Sequence, residues 1–290
     1  KGMLTGKVVS VFGSDKKIAT MYHYDIRGRL TKTTENNLMG GYNTTETTYT
    51  FTGQPATVTI THTANGKLTQ TEVYTYTYDH SDRISSVTHK LNSNAAVTLA
   101  SYTYDDKGRM ATKKLHGSSS NQLAYEYNVR GWLEKITSNK FVQELGYDNH
   151  YNGNISSMRC TANSISHSYS FTYDGVNRLL NAIHDTNDYT EKVTEYDKNG
   201  NIKFLQRYNN GALVDDLVYD YTGNQLAQVE DATGNTTGFT NGASQDGEYG
   251  YDYNGNLTKD LNKGITNISY NSLSLPQVVT FSNGNTITYL

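Results

Sequence analysis

A nine-residue pattern recurs along the chain, and any fold must accommodate all of its copies. The clearest copy reads Tyr-x-Tyr-Asp-x-x-Gly-Arg-Leu at residues 22–30, and residues 102–110 match it at every signature position except the last, where Met replaces Leu. Other copies replace the glycine with Asp or Asn, or the arginine with Asn. The signature residues of the best copies are Tyr22, Tyr24, Asp25, Gly28 and Arg29; Tyr76, Tyr78, Asp79 and Arg83; Tyr102, Tyr104, Asp105, Gly108 and Arg109; Tyr173, Asp174 and Arg178; and Tyr196, Asp197 and Gly200.

The spacing of the copies indicates a repeat array. We place the second aromatic residue of each copy at positions 24, 51, 78, 104, 127, 147, 173, 196, 219, 251 and 270. The mean interval of about 25 residues is typical of repeat architectures. A twelfth copy would begin where the sequence stops, so we predict that residues 1–290 are one array of about eleven units, cut at the C-terminus and also at the N-terminus.

Each copy predicts the end of one strand, a turn and the start of the next strand. An aromatic-x-aromatic step places two rings on one face of a strand, because side chains alternate from face to face. Asp then bonds backbone N–H groups two residues on, and Gly supplies a positive φ. Asn-Gly pairs at residues 65–66, 210–211 and 283–284 predict further hairpins. We therefore expect an all-β chain with on the order of twenty-two short antiparallel strands and essentially no helix.

Composition excludes several other classes. No apolar run approaches the length of a membrane-spanning helix, and the first residues carry no secretory h-region. The net charge is −3 without a basic stripe, which argues against a nucleic-acid partner. The single Cys160 can form no internal disulfide, and an aromatic content of 11% argues against disorder.

The signature resembles the YD repeat of the Rhs family, which occurs in bacterial polymorphic toxins, wall-associated proteins, insecticidal toxin complexes and teneurins. The Asn- and Thr-rich composition is similar to versions from gut Bacteroidetes. The resemblance implies an antiparallel array of β-hairpins that forms a curved, spiralling open sheet, a segment of a shell around a C-terminal toxin or effector domain. The family's self-cleaving core motif contains Asp-Pro, whereas neither Pro55 nor Pro276 follows an Asp. The resemblance also implies a secreted or cell-surface location.

The candidate chemical groups favour structural roles. Asp197-Lys198-Asn199-Gly200-Asn201 is similar to the opening of a calcium-binding EF-hand loop, but its glycine comes too early and no Glu follows at the twelfth position. We interpret this aspartate and its equivalents as turn residues that pair with the Arg after the glycine. No two histidines have metal-ligand spacing, and Cys160 lies in no hydrolase signature. We expect no catalytic, cofactor-binding or metal-binding residue, and no cofactor.

The tyrosines leave two interpretations open. Rings stacked from repeat to repeat would form a ladder that holds the sheet together. Exposed rows of rings would instead form a carbohydrate-binding or adhesion face. We favour the structural ladder, and with it a non-enzymatic shell segment whose partner is the C-terminal domain of the same parent chain. The alternative is a cell-surface module that binds glycan.

Overall fold

The computed structural model describes residues 2–11 and 13–289, and in these ranges it is all-β. The first strands are β1 (Gly6–Ser10), β2 (Lys17–Tyr24), β3 (Leu30–Asn36), β4 (Tyr42–Tyr49), β5 (Pro55–His62), β6 (Gln70–Tyr78), β7 (Ile84–Leu91), β8 (Val97–Tyr104), β9 (Met110–Leu115), β10 (Gln122–Tyr127), β11 (Leu133–Thr137) and β12 (Phe141–Gly146). They are followed by β13 (Ser157–Ala162), β14 (Ile165–Tyr173), β15 (Leu179–His184), β16 (Glu191–Tyr196), β17 (Ile202–Asn209), β18 (Ala212–Thr222), β19 (Gln225–Asp231), β20 (Tyr249–Tyr251), β21 (Leu257–Asp260), β22 (Ile265–Tyr270), β23 (Pro276–Phe281) and β24 (Thr286–Thr288). Helical structure in the described ranges is limited to single 3-10 turns at Ser119–Asn121 and Leu261–Lys263.

The strands form an open antiparallel sheet of nineteen strands, β1–β19, and a second sheet of five, β20–β24. This confirms the predicted all-β, antiparallel, open-sheet class. The chain divides into two compact units, Lys1–Val142 and Gln143–Leu290. The first contains β1–β11 as a succession of hairpins, and the second contains β13–β19 and the five-stranded sheet. Within the described ranges, no helix has the length and hydrophobicity needed to cross a bilayer.

A β-bulge recurs at the same place in ten hairpins. The second aromatic residue pairs with the apolar residue that follows the turn, as Tyr78 pairs with Ile84, and the next residue is extra. Such a bulge bends its strand and increases the local right-handed twist. The extra residues are Thr31, Ala56, Ser85, Ala111, Glu134, Leu180, Lys203, Ala227, Thr258 and Gln277.

Buried side chains are unevenly distributed between the two units. In the described part of unit 1, Thr20 and Ala100 are the residues with buried side chains, so the sheet there has no thick core. Unit 2 contains a core cluster of Val193, Leu205, Leu217 and Val229. The irregular segment 232–248 contributes Phe239, which packs against this cluster. Unit 2 therefore buries apolar surface beneath a covering segment, as well as pairing strands.

Carboxylates hold the covering segment in place. Asp215 is 1% exposed, accepts a hydrogen bond from the Phe239 N–H and pairs with Arg207 Nε at 2.8 Å. Glu230 accepts hydrogen bonds from Asn241 Nδ2 at 2.8 Å and from Ser244 Oγ at 2.7 Å. These bonds satisfy backbone and side-chain donors of a segment that contains no regular secondary structure.

The signature turns require a positive φ one residue before the Arg position. Gly131 has φ +85° there, and Asp82 and Asn177 take φ +58° and +68° at the equivalent position. Asn and Asp tolerate this region better than other residues with a Cβ.

Replacement of turn glycines separates backbone strain from steric contact. Gly131→Ala adds a Cβ that meets no atom within 4 Å, but places it at φ +85°. We expect it to destabilise the protein by about 1–2 kcal/mol, the cost of the left-handed conformation. Gly175→Ala is the matched control, since its Cβ is equally unobstructed and its φ lies outside the left-handed region. Urea midpoints should fall for the first variant only, and equal midpoints would contradict this account.

Candidate functional site

The aspartate of each signature turn organises its own turn. Asp79 Oδ1 accepts hydrogen bonds from the backbone N–H groups of Ser81 and Arg83 at 2.9 and 3.0 Å. Its Oδ2 accepts from Arg83 Nε at 2.7 Å. The carboxylate therefore closes an Asx-type turn and fixes the direction of the arginine. The same three bonds recur at Asp25 with Arg29, at Asp105 with Arg109 and at Asp174 with Arg178.

In other copies, a neutral asparagine takes the place of the arginine in the same turn. Asp197 accepts from the Asn199 and Asn201 N–H groups and from Asn201 Nδ2, all at 2.8 Å. Asp252 makes the equivalent bonds with Asn254 and Asn256. The turn thus needs an oxygen acceptor at its first position, whereas the ion pair occurs in only some copies.

The arginine that leaves each turn contacts the next copy of the repeat. The Arg83 guanidinium lies 4.4 Å from the ring centroid of Tyr104. Arg109 also donates from Nη1 to the Asn128 carbonyl at 3.1 Å, which lies in the following turn. A guanidinium already held by a carboxylate loses little further freedom when it stacks on a ring. Equivalent stacking joins Arg29 to Tyr49, Arg109 to Tyr127 and Arg178 to Tyr196, at 4.6, 4.7 and 4.4 Å.

The hydroxyl of the second tyrosine of a copy donates a hydrogen bond to a backbone carbonyl of the preceding copy. Tyr104 Oη donates to the Ile84 carbonyl at 2.9 Å, and Ile84 follows the turn that carries Arg83. The ring and the hydroxyl of Tyr104 thus contact two adjacent residues, Arg83 and Ile84, at the end of one turn. We call this arrangement the Arg–Tyr clamp. The same hydroxyl bond joins Tyr24 to Leu4, Tyr49 to Leu30, Tyr78 to Pro55, Tyr127 to Met110, Tyr173 to Ile155, Tyr196 to Leu179 and Tyr270 to Leu257, at 2.6–3.0 Å.

Two weak copies lie two residues from their predicted positions. Tyr49, not Phe51, makes the signature hydroxyl bond and pairs with Pro55 across the bulge. Tyr221, not Tyr219, pairs across the bulge with Leu226, and a two-residue hairpin replaces the Asp turn there. Thr50 stands where other copies have Asp, which obscured the register of the first of these copies.

The ladder of stacked tyrosine rings stays a prediction. Signature tyrosines of successive copies lie two strands apart, a separation of about 9.5 Å. In four copies an arginine spans this separation by stacking on the tyrosine of the next copy.

The Asp–Arg pairs favour the ionised carboxylates. The Arg83 side-chain hydrogen bond, with backbone bonds from Arg83 and Ser81, lowers the pKa of Asp79 from 3.8 to about 2. Backbone and side-chain bonds from the arginine lower the pKa of Asp25 and of Asp174. At Asp105, desolvation opposes the bonds from Arg109, but the pKa is still lowered.

His167, His184 and Cys160 lie on the neighbouring strands β14, β15 and β13. His167 Nδ1 lies 2.9 Å from His184 Nε2, a pair that sequence spacing did not indicate because the residues come from adjacent strands, β14 and β15. Cys160 pairs in register with His167. Among residues 2–11 and 13–289, no group of three or more His, Cys, Asp or Glu side chains has an arrangement suited to a metal ion.

This chain is similar to several solved structures at low sequence identity. No protein-family model matches the sequence, and no curated protein matches it. A chain in the crystal structure of TcdB2-TccC3-Cdc42 is similar over 97% of this chain, at 14% identity and a TM-score of 0.43. A chain of TcdB2-TccC3 without its hypervariable C-terminal region is similar over 94%, at 14% identity and a TM-score of 0.34. A porin-like protein from Bacteroides uniformis is similar over 78%, at 14% identity and a TM-score of 0.27.

This chain spans 16% and 21% of the length of the two TcdB2-TccC3 chains, and 92% of the porin-like protein.

Acid should remove the contribution of the Asp–Arg pair. Because the pKa of Asp79 is depressed in the folded chain, the pair stabilises fully above pH 3.8, and the contribution is lost as the pH falls toward about 2. Asp79→Asn keeps the backbone acceptor and removes the charge. The urea midpoints of the wild type and this variant should therefore differ near neutral pH and converge between pH 3.8 and about 2. A difference that does not change with pH would rule out the ionic contribution.

Removal of one signature hydroxyl should destabilise the array. Tyr104→Phe leaves the Ile84 carbonyl without its partner, and we expect a loss of about 1 kcal/mol in the free energy of unfolding. Tyr253→Phe is the control, because Tyr253 is fully exposed. Equal urea midpoints for the two variants would show that the hydroxyl bond does not support the array.

Proposed function

We propose that residues 1–290 form a wall segment of an Rhs-type YD-repeat shell, which encloses and presents a C-terminal toxin or effector domain of the same parent chain. The observation that carries this proposal is the Arg–Tyr clamp. Each clamp joins one copy to the next. As in other repeat proteins, the stability of the array is then approximately the sum of the stabilities of the copies and of the contacts between neighbours. A wall of any length can be built in this way without a central core.

The recurrent bulge supports the same proposal. It occurs on the strand that leaves each signature turn, so the additional twist accumulates with the same sense from copy to copy. A regular bend of this kind suits a curved, spiralling sheet around an enclosed space.

We infer that the segment is not an enzyme and takes no cofactor. The signature aspartates are engaged by backbone N–H groups and arginines, which leaves them poorly placed to act as acids, bases or metal ligands. The role is architectural, and the parent protein acts outside the cell or at its surface.

A second candidate function is glycan binding by exposed tyrosines. Tyr151 and Tyr253 are 79% and 110% exposed. Both lie in turn segments, however, and the rings of four signature tyrosines are already engaged by arginine in the clamps, so we favour the wall segment.

Limited proteolysis of the natural chain, including its downstream region, tests the proposed wall. We expect the downstream region to resist proteinase K in the wild type, and to be cut faster in an Arg83→Ala/Arg109→Ala variant with two broken clamps. Lys32→Ala is the control, because it removes an exposed ion pair with Glu46 and no clamp. Equal cleavage of the downstream region in all three proteins would overturn the proposal. Glycan binding that is lost in Tyr253→Ala, with no change in proteolysis, would favour the second candidate.

A further inference from the structure

Unit 2 contains a cleft of about 680 Å³ that none of the Arg and Tyr residues of the clamps lines. Its walls include three aromatic side chains, Phe239, Tyr249 and Tyr251, together with Asp260 and Lys263. Phe239 comes from the covering segment, whereas Tyr249 and Tyr251 share one face of β20 because they are two residues apart. The volume is within the range of small-molecule sites.

The cleft has a buried carboxylate in its wall. Asp260 is 3% exposed, and its Oδ1 accepts the backbone N–H of Lys263 at 3.2 Å, capping the short 3-10 turn. Its Oδ2 is 3.4 Å from Lys263 Nζ. The Lys263 side chain is 76% exposed, so this ion pair is formed by a mobile group at the solvent boundary.

A second carboxylate lies directly behind this wall. Glu248 is fully buried and accepts from Val229 N–H at 3.1 Å and from Asn262 Nδ2 at 2.7 Å. The same Asn262 amide reaches Tyr249 Oη at 3.4 Å. Within the described residues, no basic side chain forms an ion pair with Glu248, so the exposed Lys263, which pairs with Asp260, is the one cation recorded beside these two buried carboxylates. Burial raises the pKa of Tyr249, and both acidic groups contribute to that shift.

We propose that this cleft binds an organic cation of the alkylammonium class. The faces of aromatic rings attract such cations, and a buried carboxylate adds charge complementarity where water is excluded. Lys263 then acts as an internal competitor that occupies the carboxylate while the cleft is empty. An anion in the cleft would meet Asp260, with Glu248 buried behind Asn262, and a neutral ligand would add no charge to balance Asp260.

This proposal is independent of the wall function, because it uses none of the signature residues of the best copies. The shared chemistry is an alkylammonium group, which could belong to a free quaternary amine or to a lysine side chain of a peptide. The carboxylate attracts both, whereas three aromatic side chains in the lining favour the weakly hydrated quaternary group.

Isothermal titration calorimetry with choline tests the site. The matched neutral probe is 3,3-dimethyl-1-butanol, which has the same shape without the charge. We expect choline to bind, the neutral probe to bind at least about fivefold more weakly, and Asp260→Asn to weaken choline by a similar factor. The asparagine retains the oxygen that caps Lys263, so the turn should remain. Acetyl-lysine methylamide and its Nε-trimethyl form distinguish a peptide source from a free amine.

A second variant gives a result that a structural role would not produce. Lys263→Met removes the competing cation, and we expect choline to bind about threefold more tightly. Lys259→Met is the control, because it changes the net charge equally but precedes Asp260 on β21 and points to the opposite face. The proposal is overturned if choline binds neither the wild type nor Lys263→Met, if Asp260→Asn binds choline as well as the wild type, or if the neutral probe matches choline. Binding of methyl glucoside in place of choline would also overturn it.

Discussion

At four junctions between copies of the repeat, an arginine held by the aspartate of its own turn stacks on a tyrosine of the next copy. Asp79 fixes the Arg83 guanidinium, which stacks on Tyr104 in the next copy, and the Tyr104 hydroxyl bonds back to the strand that Arg83 begins. Because the carboxylate has already restricted the arginine, little further side-chain entropy is lost on stacking. The Tyr, Asp and Arg of the signature are therefore parts of one contact between neighbours.

This contact explains how a chain with few aliphatic residues can fold. A hydrophobic content of 35% that includes 25 tyrosines cannot fill a conventional core, and unit 1 has almost no fully buried side chain. At four junctions the clamps place a polar contact between neighbouring copies. Unit 2 adds a small apolar cluster beneath the covering segment, where Asp215 and Glu248 satisfy backbone N–H groups. The two units thus use the same repeat with different amounts of burial.

Much of the fold could be predicted from local chemistry. The Asp25 turn, the positive φ of Gly28 and the hairpin at Asn210-Gly211 follow from the conformational preferences of single residues. The registers near Tyr49 and Tyr221 were missed by two residues, because Thr50 replaces the turn aspartate and a shorter hairpin replaces the turn after Tyr221. Local pattern does not encode the Arg–Tyr contact, which joins residues 18 to 21 positions apart. The cleft likewise depends on Phe239 from an irregular segment without a periodic signal.

A double-mutant cycle between Arg83 and Tyr104 tests the central claim most directly. Arg83→Gln, Tyr104→Leu and the combined variant would be compared with the wild type by urea unfolding. The clamp predicts a coupling free energy of about 0.5–1 kcal/mol between the two side chains, as for a stacked guanidinium near the surface. Additive effects, with no coupling beyond the error of the measurement, would contradict the account and leave strand pairing alone to join the copies.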